Sequence, residues 1–261
     1  MKRTIPILLL FFLFISPQKI KEEYPLKKGK PTSRGIDYYV NTNKYVIQKE
    51  LEVYLKDSIF LFVEMRTDDI SNYTDYDSLD VAYHFTYTDG SDEIIIDNRE
   101  RYVAYDIDKL SKLKKLNLNT YNQFVKTAII HELMHTYFLQ QVIIAKYAEF
   151  EVYKEYDYRE TARIRIFPNA EEQYGAEFLE EGICQYVVEQ MKQQIPHRVS
   201  KPETVGDIMG NNEIKYGYSV DYLKEFLDFF GVRKGIGILI LNKPPTYQEI
   251  LNPDLFFNRI N

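Results

Sequence analysis

Between Val125 and Leu139 the chain is apolar on nearly every side of a helix, and three ionisable groups interrupt its middle: His131, Glu132 and His135. A helix that is apolar all round belongs inside a protein, so the rest of the chain has to wrap it. It also takes two imidazoles and a carboxylate into an interior where an unpartnered polar group loses its hydrogen bonds at a cost of several kcal/mol, roughly 2–7. Thr120-Tyr-Asn-Gln123 reads as a capping box that opens this helix, which should run to about Ile144.

The remaining elements follow from periodicity. Apolar residues at helical spacing predict a helix over Ile36 to Leu55. Ile59 to Met65, Val81 to Thr88 and Ile94 to Ile96 read as strands, with Asp89-Gly90 as a turn between the last two. Arg163 to Phe167 reads as a further strand. Ala170 to Gln194 reads as a second long helix that Gly175 and Gly182 are positioned to break. Ser219 to Phe230 is helical with Gly231 as its stop, and Thr246-Tyr-Gln-Glu249 is a capping box for a short last helix. Strands gathered before and between helices predict an α+β fold: a small mixed sheet over the His131–His135 helix, then a mainly helical C-terminal part. Residues 36–261 are expected to form a single domain. The chain has no Trp but 23 Tyr and 16 Phe, so aromatic rings must supply much of the core.

Residues 1–18 read as a signal peptide, with Lys2 and Arg3 ahead of an apolar run from Ile5 to Ile15. That run is too short to cross a bilayer, so export is expected with no stable membrane span after cleavage. Residues 19–35 contain Pro25, Gly29, Pro31 and Gly35 and read as a polar tether. The formal charge of −6 argues against a nucleic-acid partner, which requires a basic face. Cys184 is the only cysteine, which excludes an intramolecular disulfide and a cysteine-based metal cluster; it reads as a buried structural residue.

Residues four apart share one face of a helix, so His131 and His135 present two imidazoles side by side, spaced to hold one metal. Glu132 is one step round, within reach of a water at that metal. Two such His on one helix with Glu as general base is the pattern of a zinc hydrolase. A catalytic zinc needs a third protein ligand. His84, in a predicted strand, and His197, after Pro196, fit poorly. Carboxylates are the better source, and Glu177, Glu180 and Glu181 lie together on the second long helix. Those same acids also fit a solvated helix face.

His131-Glu-Leu-Met-His135 followed by Leu179-Glu-Glu-Gly182 resembles the gluzincins, the zinc metallopeptidases that include thermolysin-like and aminopeptidase families. The resemblance covers roughly residues 92–230. It implies a zincin-like fold, a zinc cofactor, a peptide or protein substrate, and Glu181 as third ligand, because several of those families carry the ligand directly before a glycine. It places Glu132 as the base that takes a proton from the attacking water. It also compares Ile94-Ile-Ile96 with the edge strand that binds extended substrate, an ordinary core strand being the alternative. In the aminopeptidase branch a tyrosine in a Tyr-x-x-Gly run stabilises the oxyanion, which implies Tyr216; here Ser219 stands where the glycine is, and Tyr218 is a substitute. The stretch between His135 and Glu181 is longer than in the better-known families, and residues 146–169, rich in Tyr and acid, form either a lid or a solvated hairpin. Two other functions fit the same residues: a zinc-dependent hydrolase of a non-peptide substrate, and a non-catalytic exported module that keeps zinc as a clamp. A general base is of no use to a clamp, whereas a fourth protein ligand favours one.

Overall fold

The helix that dominates the sequence is also the longest element, Leu118–Glu149. A computed structural model describes residues 33–61, 63–68, 82–86, 92–97, 118–149, 169–191, 193, 199–210 and 213–260. In chain order the elements are α1 (Ser33–Leu55), β1 (Val63–Asp68), β2 (Ala82–Thr86), β3 (Asp92–Asp97), α2 (Leu118–Glu149) and α3 (Ala170–Gln190). They continue with α4 (Val205–Gly210), α5 (Glu213–Gly217), α6 (Ser219–Phe230), α7 (Val232–Leu241), α8 (Tyr247–Leu251) and α9 (Pro253–Ile260). This is an α+β arrangement: one helix, then the three strands, then helices alone among the described residues. The signal and most of the tether, the Asp89-Gly90 turn, the Arg163–Phe167 strand, most of the 146–169 stretch and His197 lie outside the described residues. Ser33 to Gly35, expected in the tether, belong to α1. No helix among the described residues is long and apolar enough to cross a membrane.

Helix α2 is buried as its composition requires: Val125, Ile129, Ile130, Leu133, Met134 and Tyr137 are all inaccessible. It starts at Leu118, so Thr120 lies inside the first turn rather than capping it, and it runs past Ile144 to Glu149. The three strands form a mixed sheet in the order β1-β3-β2, with β1 parallel and β2 antiparallel to β3. The sheet and α1 pack against α2. Because β3 is the central strand, Ile94, Ile95 and Ile96 are buried on both of its faces. The edge-strand expectation for this segment is therefore corrected: both sides of β3 are already paired, and it is a core strand.

The strand expected from Ile59 begins instead at Val63. A buried side chain supplies the reason. Gln140 of α2 accepts from the backbone N–H of Phe60 at 2.8 Å and of Leu61 at 3.4 Å, and donates to the Ser58 carbonyl at 2.7 Å. The loop satisfies its backbone on α2 and leaves the sheet.

Helix α3 runs unbroken through Gly175 and Gly182, against the expectation that they break it. Packing explains both. A Cβ on Gly175 would sit 2.1 Å from the Pro245 carbonyl oxygen, and one on Gly182 would sit 2.8 Å from Ser219 Cβ and Leu223 Cδ1. These glycines let the 244–245 turn and α6 approach α3, which is capped at its start by Asn169 accepting from the Glu172 N–H at 2.9 Å. Gly182→Ala is therefore expected to destabilise the fold by about 1–3 kcal/mol, although alanine is the better helix former. Urea unfolding checks this; a variant as stable as the parent would show that α6 sits further away.

The C-terminal layer is held by aromatic packing. Phe178 meets Tyr218 and Tyr222, and Tyr222 meets Phe256 and Phe257. Helix α6 ends where expected, at Gly231, whose φ of 75° suits a residue without Cβ. The Thr246 capping box forms with both of its hydrogen bonds. It does not open the last helix: α9 follows and buries Phe256.

Candidate metal centre

Helices α2 and α3 pack against each other, and the contact brings two pairs of residues four apart into register. From α2 come His131 and His135; from α3 come Glu180 and Cys184, with Glu181 between them. The two imidazoles meet through Nε2 atoms 3.2 Å apart. Glu181 Oε2 lies 3.1 Å from His131 Nε2, and Glu181 Oε1 lies 3.6 Å from His135 Nε2. Each of the three acids weighed from sequence has a separate position. Glu177 is turned away to pair with Lys215 Nζ at 2.5 Å, Glu180 reaches the outer ring nitrogen of His135, and Glu181 faces both inner nitrogens.

The donor set fits a metal. Ligands at about 2.0–2.1 Å in a tetrahedral shell stand about 3.3 Å from one another. The two Nε2 atoms are 3.2 Å apart, and each has a different Glu181 oxygen near that distance, Oε2 at 3.1 Å from His131 and Oε1 at 3.6 Å from His135. Glu181 Oε2 and His131 Nδ1 are buried and make no hydrogen bond, so the 3.1 Å approach of Oε2 to His131 is close but misaligned. A buried carboxylate oxygen without a donor is costly, and a cation at the centre of the triangle relieves it.

Electrostatics point the same way. Burial pushes the Glu181 carboxyl up, but the adjacent His135 and His131, with Lys215 beyond them, outweigh it and hold it below the ordinary value. Burial pulls His135 down, yet the neighbouring Cys184, Glu181 and Glu180 raise it well above the ordinary imidazole range. Burial drives the Cys184 thiol up to about 12, only partly offset by His135. A positive charge is thus favoured at this point between the helices.

Glu180 accepts from His135 Nδ1 at 2.7 Å, which fixes the ring orientation and leaves Nε2 as the inward donor. Sequence reasoning ranked Glu180 as a rival ligand and did not see this role. Glu180→Gln is expected to weaken metal binding about 10- to 100-fold without removing it, read by chelator competition. An unchanged affinity would mean the contact does not orient the ring.

Lys215 was also missed. Its ammonium pairs with Glu177 and lies 4.7 Å from the centre of the Tyr174 ring, one helical turn from Glu181. Tyr216, the expected oxyanion donor, is on α5 with 44% of its surface exposed, and α5 packs on α3. Tyr218 is the buried one of the two, packed against Phe178 and Tyr222. Glu132 is half-buried on α2, one residue after His131. His84 lies in β2, opposite Ile94 of β3.

Compared with protein-family models, curated proteins and solved structures, the chain gives no match.

Proposed function

We propose that this protein is an exported zinc-dependent metallopeptidase with a zincin-like fold, related in its site to the gluzincins. The observation that carries the reading is the convergence of three side chains: the Nε2 atoms of His131 and His135 are 3.2 Å apart, and the Glu181 carboxylate spans them, Oε2 3.1 Å from His131 and Oε1 3.6 Å from His135. Those three residues are the ligands. Bound there, zinc supplies the Lewis acidity that brings the pKa of water toward neutrality. Glu132 accepts the proton as water attacks the peptide carbonyl and delivers it to the leaving amine. Glu180 keeps His135 oriented. Tyr216 donates its hydroxyl to the oxyanion, a role that needs one uncharged hydrogen-bond donor. The substrate is a peptide or protein, and the apolar run behind Lys2 and Arg3 directs export.

Metal analysis of the purified protein, followed by cleavage of a broad peptide library, tests this. One zinc per chain and metal-dependent cleavage are expected. Protein that holds no stoichiometric transition metal under any loading condition would refute the proposal. One observation favours a second reading, a non-catalytic zinc clamp: Cys184 lies beside the two imidazoles, and a fourth protein donor is what a clamp has.

A further inference from the structure

We propose that Cys184 is a fourth protein donor to the metal held by His131, His135 and Glu181, so that the resting centre is a two-nitrogen, one-oxygen, one-sulfur shell selective for thiophilic divalent ions. This rests on the metal site of the reading above and not on peptide hydrolysis: four protein donors fill a tetrahedral shell, so a Cys184 ligand favours the clamp.

Glu181 and Cys184 are three apart on α3, so they occupy consecutive turns of one face, and that face is the one against His131 and His135. Cys184 Sγ and one ring nitrogen of each histidine all lie within 4.8 Å of one another. A tetrahedral shell with sulfur at about 2.3 Å and nitrogen at about 2.0–2.1 Å separates the two by about 3.5 Å. The thiol therefore has to close a gap on the order of 1 Å, well within a side-chain adjustment. Cys184 is wholly inaccessible, so the arrangement is built into the α2–α3 contact.

One turn before Cys184 on the same helix, Glu181 Oε2 is buried without a hydrogen bond, 3.1 Å from His131 Nε2, a second donor beside the imidazoles. What a thiolate adds is softness. Nitrogen and oxygen donors alone accept manganese and other hard ions, whereas a sulfur donor biases the centre toward zinc and cadmium. The thiol gives up its proton when the metal enters, so metal uptake by the wild-type protein displaces one proton from sulfur.

X-ray absorption at the zinc edge of the loaded full-length chain is expected to count one sulfur neighbour at about 2.3 Å beside nitrogen and oxygen neighbours. The cobalt-loaded chain is expected to show a sulfur-to-cobalt charge-transfer band in the near ultraviolet. Cys184→Ala and Cys184→Ser, two variants in case one packs poorly, should keep stoichiometric cobalt on the remaining three donors and lose that band. Their preference for cadmium over zinc should fall by about tenfold. A zinc shell of nitrogen and oxygen only, or a band that survives in both variants, overturns the proposal while leaving the three-ligand centre standing. A wild-type chain that takes up neither zinc nor cobalt overturns the peptidase reading and this inference with it.

Discussion

Glu132→Gln is expected to retain one zinc per chain and to cut hydrolysis by about 100- to 10,000-fold, the usual contribution of a positioned general base. The substitution keeps the size and shape of the side chain and removes only its ability to take a proton. Nothing that holds the metal should move. Ile130, Leu133 and Met134, which flank the site on α2, are buried in the core and fix the helix regardless of residue 132. Glu180 continues to hold His135, and Glu181 comes from the other helix. The comparison needs metal content and turnover on a peptide first found by library screening. It also separates the two functional readings. A clamp binds zinc equally in both proteins and cleaves with neither, whereas a peptidase loses turnover alone. A variant with full activity would take Glu132 out of the mechanism.

The pair His131 and His135 was legible because it depends only on helix periodicity: any helix through Val125–Leu139 puts them on one face. The third acid was legible only as a group of candidates. Choosing among Glu177, Glu180 and Glu181 requires both the rotation of α3 about its axis and its position along it, and those are set by tertiary packing. Gly182 decides it, by letting α6 close to where a Cβ would meet Ser219 and Leu223. The Glu-Glu-Gly run thus has a packing cause for its glycine, and the same packing turns Glu181 inward. With α3 so placed, its two adjacent acids straddle the contact with α2, which is why both reach His135, one at each ring nitrogen. The strand order was not legible from alternation. Three consecutive isoleucines read equally as an edge or a centre, and only the pairing of β3 with both β1 and β2 distinguishes them. Nor was the start of β1, because the competing partner, Gln140, lies about 80 residues away in sequence.

The sharpest test of that rotation is a series along α3. Glu181→Gln is expected to reduce metal affinity by more than the roughly 10- to 100-fold that removal of an orienting partner costs, because a neutral amide oxygen is a far poorer ligand than a carboxylate. Glu180→Gln falls within that range. Glu177→Gln should change affinity least, since its carboxylate is engaged by Lys215. The order Glu181, Glu180, Glu177 is the signature of one particular face of α3 turned toward α2. Competition against a chelator of known zinc affinity measures it, with thermal unfolding of the metal-free proteins as the control for folding. Loss of the Glu181 carboxylate should also cost the metal-free fold some stability, because the two imidazoles hold its carboxyl below the ordinary value. Affinity that falls further than metal-free stability is therefore the pattern of a ligand. If Glu177→Gln proved the most damaging of the three, α3 would be shifted along its axis by one helical turn. The centre would then be built from a different acid, and the 3.1 and 3.6 Å approaches of Glu181 to the two imidazoles would no longer describe it.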